Sequence, residues 1–210
     1  MNITEKNVAK YLLQIKAIKL EPTNHFVWAS GWNSPIYCDN RKTLSYPEVR
    51  SYIKEQFANM IKDNFADVDV IAGVATGAIA QGALVAQELG LPFVYVRSEA
   101  KKHGLENLIE GVVAPGQKVV VIEDLISTGG SSLKAVEALK IAGCDVLGMA
   151  AIFTYGFKTA EDNFAAANCK LLCLSNYNAL IELALETNYI TQNDVATLSS
   201  WRVDPGNWKK

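Results

Sequence analysis

Short apolar runs alternate with segments of helical periodicity along most of the chain. Five runs rich in Val, Ile and Phe lie at residues 68–74, 92–96, 118–122, 146–153 and 171–174. Three segments with helical spacing of apolar residues fall between them, at residues 78–89, 131–142 and 160–167. Runs that are apolar at nearly every position, such as V-V-V-I at 119–122, are typical of strands buried on both faces. The pattern therefore predicts an α/β fold with a central, mostly parallel sheet flanked by helices.

The first 45 residues do not follow this alternation. Residues 4–20 predict an amphipathic helix, because five apolar side chains have helical spacing: Val8, Tyr11, Leu12, Ile15 and Ile18. Extended segments at 26–29 and 35–38 flank S-G-W-N-S, and we expect them to pair as a hairpin. We therefore expect a helix and a small hood at 1–45, followed by a core at 46–210 that belongs to the same structural domain.

Three further helices are indicated around the core. Ser45-x-x-Glu48 is a capping-box pattern and Pro47 suits a first helical turn, so a helix is expected from about 46 to 64. The C-terminal tail predicts a helix at 177–186 and another after Thr191.

Composition and charge argue against several classes of protein. The 210 residues include 20 Lys and Arg against 22 Asp and Glu, a net charge of −2, and this lack of basic excess argues against nucleic-acid binding. The N-terminal residues form no apolar signal segment, and the uncharged stretch at 70–87 is interrupted by glycines, so neither export nor a membrane span is expected. The four cysteines are scattered, which favours reduced core residues over a zinc cluster. We expect a cytoplasmic protein without nucleic-acid or membrane partners.

The strongest chemical signal follows the predicted strand at 118–122. Two adjacent acids, Glu123 and Asp124, end the strand, and a run of small residues then opens a helix near Gly130. The residues after the acids are Leu125, Ile126, Ser127, Thr128, Gly129, Gly130 and Ser131. Amides and hydroxyls at a helix N-terminus can cradle a phosphate, and the two carboxylates suit ribose hydroxyls or a magnesium ion held jointly with the sugar. The segment predicts a ribose-5-phosphate site, although an ordinary strand–helix turn with solvated acids has the same local pattern.

Two further segments support an anion site. A small-residue turn follows the strand at 68–74 and comprises Ala75, Thr76 and Gly77, although close helix–strand packing also favours small residues. A cationic cluster follows the strand at 92–96 and comprises Arg97, Lys101, Lys102 and His103. A solvated surface loop would explain this cluster too. A loop at 98–110 that brings cations to a polyphosphate would neutralise a leaving group and exclude water.

These motifs resemble those of a known enzyme family. The string at 119–131 is similar to the phosphoribosyl-pyrophosphate motif of type I phosphoribosyltransferases: four apolar residues, two acids, two apolar residues and then S-T-G-G. Y-V-R-S-E-A-K-K-H-G at 95–104 and S-G-W-N-S-P-I-Y at 30–37 resemble the catalytic loop and the hood of orotate phosphoribosyltransferases. The resemblance runs from about residue 20 to 190. It implies the type I phosphoribosyltransferase fold and the transfer of 5-phosphoribosyl from phosphoribosyl pyrophosphate (PRPP) to orotate. The products would be orotidine 5′-phosphate and pyrophosphate, in pyrimidine (UMP) biosynthesis.

The resemblance also implies roles for individual residues. Glu123 and Asp124 would take the ribose hydroxyls, and Lys101 would be the loop lysine most closely tied to catalysis. PRPP would be bound by the loop cations Arg97, Lys101 and His103, by the turn Ala75, Thr76 and Gly77, and by residues 123–131. Orotate would contact Ser127, Tyr37 and Cys38. Mg²⁺ would be held mainly through substrate oxygens without a firm protein ligand, and two chains would form a homodimer with shared active sites.

The chain departs from some members of that family. Ala29, Thr76 and Ser98 stand where those members carry lysines, and F-T-Y-G at 153–156 stands where they carry an arginine that contacts the orotate carboxylate. The carboxylate contact is therefore unassigned, with Arg41 as a candidate. Two alternatives remain open: a purine-base or xanthine phosphoribosyltransferase, which would lack the hood, and a non-catalytic sensor of the sugar phosphate.

Overall fold

A six-stranded sheet organises the chain, whose computed structural model describes residues 2–28, 30–97 and 108–209. The strands in these residues are β1 (Ile18–Leu20), β2 (Phe26–Val27), β3 (Asn33–Ser34), β4 (Ile36–Cys38), β5 (Val70–Val74), β6 (Phe93–Val96), β7 (Ile109–Glu110), β8 (Lys118–Ile126), β9 (Asp145–Thr154) and β10 (Leu171–Asn176). The central sheet has the order β10-β9-β8-β5-β6-β7. All neighbours in it are parallel except β6 and β7. The predicted α/β fold with a mostly parallel sheet is confirmed.

Helices cover both faces of this sheet. They are α1 (Ile3–Gln14), α2 (Pro47–Asn64), α3 (Ile79–Leu89), α4 (Gly130–Ile141), α5 (Lys158–Ala166), α6 (Tyr177–Glu186) and α7 (Gln192–Val203), with a 3₁₀ helix at Asn40–Ser45. Consecutive residues of β8 point to opposite faces. Val120 and Ile122 belong to the hydrophobic cluster that includes α1, α2, α3, α6 and α7, whereas Val119 and Val121 pack with α4 and α5. Each helix from α2 onward agrees with its predicted range to within two residues.

The first helix is shorter than the sequence predicts. It ends at Gln14, Lys16 adopts a left-handed conformation (φ 54°), and Ile18 begins β1, where it pairs with Cys38. The prediction of a helix to residue 20 is wrong. Ile18 is fully buried, as its apolar side chain indicated, but it is buried in a strand and not on a helix. Apolar spacing alone does not distinguish burial in a strand from burial on a helix.

The predicted hairpin has the wrong partners. Among the described residues, 26–28 do not pair with 35–38: β2 pairs with β3, and β4 pairs with β1. Ala29 lies outside the described residues. The chain reverses early, because the Trp28 amide donates to the Trp32 carbonyl (2.9 Å) and the Gly31 amide donates to the Trp28 carbonyl (2.8 Å). The capping box is also wrong, since Ser45 ends the 3₁₀ helix and the N-cap of α2 is Tyr46, which makes no side-chain capping bond.

Strand β8 extends beyond its predicted end at residue 122. It continues to Ile126, so Glu123 and Asp124 lie within the strand, and only residues 127–129 separate it from α4. The extension is paired with an equally long β9, through Leu125 with Phe153 and Ile126 with Thr154. Ile109 and Glu110 form β7, although they belong to the loop predicted at 98–110; residues 98–107 lie outside the described residues.

The C-terminal tail packs against the hood. Helix α1 packs against β10 and α6, so only residues 18–45 form a hood. The C-terminal tail folds onto this hood: Asn33 Nδ2 donates to the Lys209 carbonyl (2.6 Å), and the His25 and Trp208 rings lie 5.6 Å apart. Within the described ranges, no helix combines the length and the apolar character that a membrane crossing requires. The four cysteines carry free thiols.

Candidate active site

The two predicted anion-binding segments meet where the strand order of the sheet reverses. From β5 the chain adds β6 on one side and later β8 on the other. Such a reversal opens a crevice at the carboxyl ends of the strands, where ligands bind in open α/β sheets. Residues 75–77, here called the β5 turn, and residues 127–131, here called the β8 loop, lie at this edge. The Ala75–Thr76 peptide bond is cis, and the Ala75 amide donates to the Val96 carbonyl of β6 (2.8 Å).

Asp124 lies directly against the β5 turn. A Cβ built on Gly77 would lie 2.6 Å from the Asp124 Cγ, so the carboxylate occupies its position only because residue 77 is glycine. On the hood side, Asn40 Nδ2 donates to the Asp124 carbonyl oxygen at 2.6 Å. Asn40 is 1% exposed, and its Oδ1 accepts from the Cys38 thiol at 3.3 Å. The hood therefore holds this acid in place against the turn.

Glu123 is turned into the protein. Its side chain is almost completely buried, Ser132 Oγ donates to Oε2, and the Asp124 amide donates to Oε1, both at 2.8 Å. Burial, with a smaller contribution from the neighbouring Asp124 charge, raises the pKa of Glu123 to about 8. The raised pKa favours the protonated form of Glu123. This protonation lowers the negative charge that a phosphate would meet.

The β8 loop presents a series of open backbone amides. No described residue accepts a hydrogen bond from the amides of residues 127–132. The loop is supported from behind by α5, where Asn163 Nδ2 donates to the Thr128 carbonyl at 2.9 Å. Gly129 has a φ of 80°, and a Cβ there would lie 2.7 Å from the Phe164 ring. The loop thus offers neutral donors at the N-terminus of α4, an arrangement that suits a phosphate.

A polar cleft of about 430 Å³ joins the β5 turn to the acids. Its lining comprises Cys38, Asp39, Arg41, Val74, Ala75, Thr76, Gly77, Glu123, Asp124, Leu125 and Ser131. Arg41 is the cation among them, and its Nε donates to Asp39 Oδ1 at 2.7 Å. The amides of Thr76 and Gly77 donate to no described residue. Because Arg41 lines this cleft, it is better placed to bind an anion near the β5 turn than to contact the carboxylate of orotate, the role for which it was a candidate.

A second, aromatic pocket of about 270 Å³ adjoins the polar cleft. Its lining comprises Val27, Trp28, Tyr37, Cys38, Leu125, Ser127 and Tyr155, so Cys38 and Leu125 belong to both cavities. The Trp28 and Tyr155 rings lie 5.2 Å apart, and Trp28 Nε1 donates to the Ile36 carbonyl at 3.0 Å. The three residues predicted to contact a base all line this pocket. Flat aromatic walls beside a polar cleft suit a planar ring that must reach a sugar.

The remaining predicted site residues are less completely placed. Arg97 follows β6; its guanidinium lies 3.5 Å from Glu110 Oε1, and it is not among the cleft-lining residues. Lys101 and His103 lie outside the described residues. Ile126 is fully buried, so only its main chain is available to a ligand. In the part of the chain that the structure describes, no three or more His, Cys, Asp or Glu residues are grouped to hold a metal ion.

Sequence reasoning missed the residues that support this site. Asn40 and Asn163 are single polar residues whose partners lie 84 and 35 positions away. No local pattern distinguishes such an asparagine from one in an ordinary turn. Trp28 and Tyr155 were also missed, although aromatic residues at strand ends near a predicted base site were a usable signal.

Comparison with known proteins shows the family to which the chain belongs. Residues 43–187 match the family model described as phosphoribosyl transferase domain. A protein of Phocaeicola vulgatus named orotate phosphoribosyltransferase is 61% identical over 209 residues, which cover 100% of this chain and 99% of that protein. The orotate phosphoribosyltransferase of Porphyromonas gingivalis is also 61% identical, with 99% of each chain covered. The crystal structure of orotate phosphoribosyltransferase from Aeropyrum pernix is 28% identical, with a TM-score of 0.75, and the alignment covers 88% of this chain and 99% of that one.

The buried Asn40 hydrogen bond predicts a stability difference between two asparagine variants. Asn40→Ala leaves the Asp124 carbonyl unpaired, and the free energy of unfolding should fall by about 1–3 kcal/mol in urea denaturation. Asn64→Ala is the matched control, because Asn64 Nδ2 also donates to a backbone carbonyl, that of Met60, but is exposed. Its effect should stay below about 0.5 kcal/mol. If the two variants lose equal free energy of unfolding, the buried hydrogen bond from Asn40 to Asp124 contributes no more to stability than the exposed one from Asn64.

The raised pKa of Glu123 predicts a pH-dependent stability. Between the unfolded value of 4.5 and the folded value of about 8, the native state binds more protons than the unfolded state. The free energy of unfolding should therefore fall as pH rises through this window, by at most about 1.4 kcal/mol per pH unit from this one group. Glu123→Gln should flatten that slope in urea titrations at pH 5.5, 6.5 and 7.5. Glu137→Gln on the exposed side of α4 is the control, and parallel curves for wild type and Glu123→Gln would contradict the assignment.

Proposed function

Because the chain belongs to the orotate phosphoribosyltransferase family of type I phosphoribosyltransferases, we propose that its polar cleft binds PRPP and its aromatic pocket binds orotate. The reaction transfers 5-phosphoribosyl from PRPP to orotate and gives orotidine 5′-phosphate and pyrophosphate in pyrimidine biosynthesis. The observation that carries the assignment is the common wall of the two cavities at Cys38 and Leu125. A sugar in the cleft and a ring in the pocket meet at this wall.

Each group of PRPP is assigned to the part of the site whose hydrogen-bonding groups suit it. The 5′-phosphate binds the open amides of the β8 loop, since no described residue competes for them. The pyrophosphate binds the β5 turn, where the amides of Thr76 and Gly77 are also open. The ribose hydroxyls bind between these two sites, at Asp124. Glu123 is turned into the protein and supports this arrangement by accepting a hydrogen bond from the Asp124 amide.

Orotate binds as a flat ring against the walls of the aromatic pocket. Trp28 and Tyr155 form one side, and Ser127 and the main chain of Tyr37 and Cys38 offer polar contacts at its edge. Relatives 61% identical over nearly the whole chain carry the name orotate phosphoribosyltransferase, which favours orotate over a purine base and catalysis over sensing alone.

The protein contributes positioning and charge stabilisation and forms no covalent bond to the substrate. The bond between C1′ and the pyrophosphate oxygen breaks, and the sugar acquires oxocarbenium character. Orotate N1 forms the new bond to C1′ on the face turned toward the aromatic pocket, and its proton leaves with the released pyrophosphate. Asp124 stabilises the developing positive charge, and the two anchored phosphates hold the sugar in line. Arg41, Arg97, Lys101 and His103 neutralise the departing pyrophosphate.

The cleft also suits Mg²⁺ as the cofactor. Asp124 would be the carboxylate that holds the ion, since Glu123 is buried with both oxygens hydrogen-bonded and Asp39 is engaged by Arg41. One carboxylate plus substrate oxygens is a common way to hold this ion. When bound, Mg²⁺ supplies charge neutralisation to the pyrophosphate and ribose oxygens.

The active form is a cytoplasmic homodimer with shared active sites. Among the described residues, the lining of the polar cleft includes one cation, Arg41, whereas a pyrophosphate carries several negative charges. The loop cations of a second chain would supply the rest. Four free thiols favour a reducing compartment.

Replacement of Asp124 tests the assignment of the cleft. Asp124→Asn should lower kcat/KM by about 100-fold or more, which corresponds to about 3 kcal/mol of transition-state stabilisation. The assay follows the loss of orotate absorbance with PRPP and Mg²⁺, and circular dichroism checks the fold. The matched control is Asp145→Asn, because Asp145 is an exposed aspartate at the opposite end of the sheet. Near-normal turnover by Asp124→Asn would remove this acid from the mechanism.

Subunit mixing tests whether the sites are shared. Inactive Lys101→Ala and inactive Asp124→Asn chains are unfolded together, refolded and assayed. Random pairing makes about half of the dimers mixed, and each mixed dimer has one intact composite site, so about a quarter of wild-type activity should return. Mass spectrometry of the native dimers verifies the exchange. If proven mixed dimers stay inactive, Lys101 and Asp124 do not meet across a subunit boundary.

A further inference from the structure

The rear of the aromatic pocket is formed by the C-terminal helix α7. Trp201 is fully buried, and its ring lies 5.6 Å from the Trp28 ring and 5.6 Å from the Tyr155 ring. Both contacts are close to perpendicular, with interplanar angles of 82° and 87°. The two aromatic walls that face the pocket are thus supported from behind by one side chain of α7.

The next residue of α7 fixes the main chain of the same wall. Arg202 Nε donates to the Tyr155 carbonyl at 3.1 Å, and a second guanidinium nitrogen donates to the Gly156 carbonyl at 3.1 Å. The remaining nitrogen donates to Asn178 Oδ1 at 2.6 Å. The guanidinium also lies over the Tyr177 ring, 5.6 Å from its centroid. Arg202 therefore contacts both the turn that follows β9 and the first residues of α6.

Glycine at position 156 permits this close approach. Gly156 has a φ of 65°, and a Cβ there would lie 2.9 Å from the Arg202 guanidinium. The Gly156 amide donates to Thr154 Oγ1 at 3.0 Å. Gly156 thus leaves room for the Arg202 guanidinium. Tyr155 is held at its ring by Trp201 and at its carbonyl by Arg202.

We propose that Arg202, supported by Trp201, positions Tyr155 and thereby sets the affinity of the enzyme for the planar base. Helix α7 lies outside residues 43–187, which match the family model, so this contribution comes from a part of the chain beyond the shared domain. The inference rests on the proposed binding of orotate in the aromatic pocket.

The effect of Arg202 should be selective for one substrate. Arg202 and Trp201 are absent from the lining of the polar cleft, and their partners Trp28 and Tyr155 line only the aromatic pocket. The β8 loop is held instead by Asn163. A loosened Tyr155 wall should therefore weaken orotate binding and leave PRPP binding unchanged.

Steady-state kinetics of Arg202 variants test this inference. Arg202→Met should raise the KM for orotate about tenfold, the size expected when charge-assisted hydrogen bonds that hold a binding wall are lost. The KM for PRPP should stay within about twofold of wild type. Arg202→Lys should give a smaller rise, because an ammonium group reaches one carbonyl but not two in a fork. The matched control is Lys158→Met, which removes an exposed cation near the same turn that donates to neither carbonyl.

Equilibrium binding separates positioning from a general loss of stability. The Kd of orotidine 5′-phosphate should rise in Arg202→Met, whereas the Kd of PRPP, measured without orotate, should not. Thermal unfolding shows whether each variant is folded at the assay temperature, and Arg202→Lys carries the test if Arg202→Met is not. Equal rises in both KM values, a change confined to kcat, or an unchanged orotate KM would overturn the inference.

One further variant distinguishes failure of the inference from failure of the pocket assignment. Ser127→Ala alters a residue that lines the aromatic pocket itself. If Ser127→Ala raises the orotate KM and the Arg202 variants do not, the pocket binds the base but α7 does not control it. If neither raises the orotate KM, the base binds elsewhere and both assignments are wrong.

Discussion

The parallel pairing of β5 with β8 is the constraint on which the site depends. Because the chain builds outward from β5 in one direction and returns to build outward from β8 in the other, the helices that follow these two strands pack on opposite faces of the sheet. A crevice is left open between the two turns at the carboxyl edge of the sheet. Two sets of open amides consequently face one crevice. The register places Gly73 of β5 opposite Ile122 of β8, so the next residues on β8 are the two acids.

Acids inside an anion site create an electrostatic problem that burial resolves. Two ionised carboxylates beside two phosphates would repel them strongly. Glu123 avoids this, because burial raises its pKa to about 8 and Ser132 and the Asp124 amide satisfy its oxygens. Asp124 remains at the surface of the cleft, where a carboxylate favours a sugar that becomes positively charged in the transition state. The adjacent acids thus differ in role because the alternation of the strand turns one inward and the other toward the ligand.

The sequence predicted those features of the fold and site that are encoded locally. The strands of the sheet are continuous apolar runs, and the β8 motif combines acids, hydroxyls and glycines within nine positions, so each was recognisable without knowledge of distant contacts. The end of α1 was wrong because burial of Ile18 in β1 depends on its pairing with Cys38. The predicted hairpin was wrong for a similar reason. Segments 26–29 and 35–38 both have a composition that suits strands, and the hydrogen bonds between Trp28 and residues 31 and 32 decide which strands pair. The role of Asn40 could not be predicted because it consists of a hydrogen bond to Asp124, which lies on another element.

Recognition of the phosphates and recognition of the base have different physical sources in this chain. In the proposed assignment the phosphates would meet main-chain amides of the β5 turn and the β8 loop, which any small-residue turn at a strand end can present. The base would meet the aromatic pocket, whose side chains come from the hood and the end of β9, with α7 behind them. Main-chain donors are insensitive to substitution as long as the turn keeps its shape, whereas an aromatic wall changes with each side chain that packs on it. A scaffold of this kind can therefore keep one sugar-phosphate site while its termini determine which planar ring is admitted.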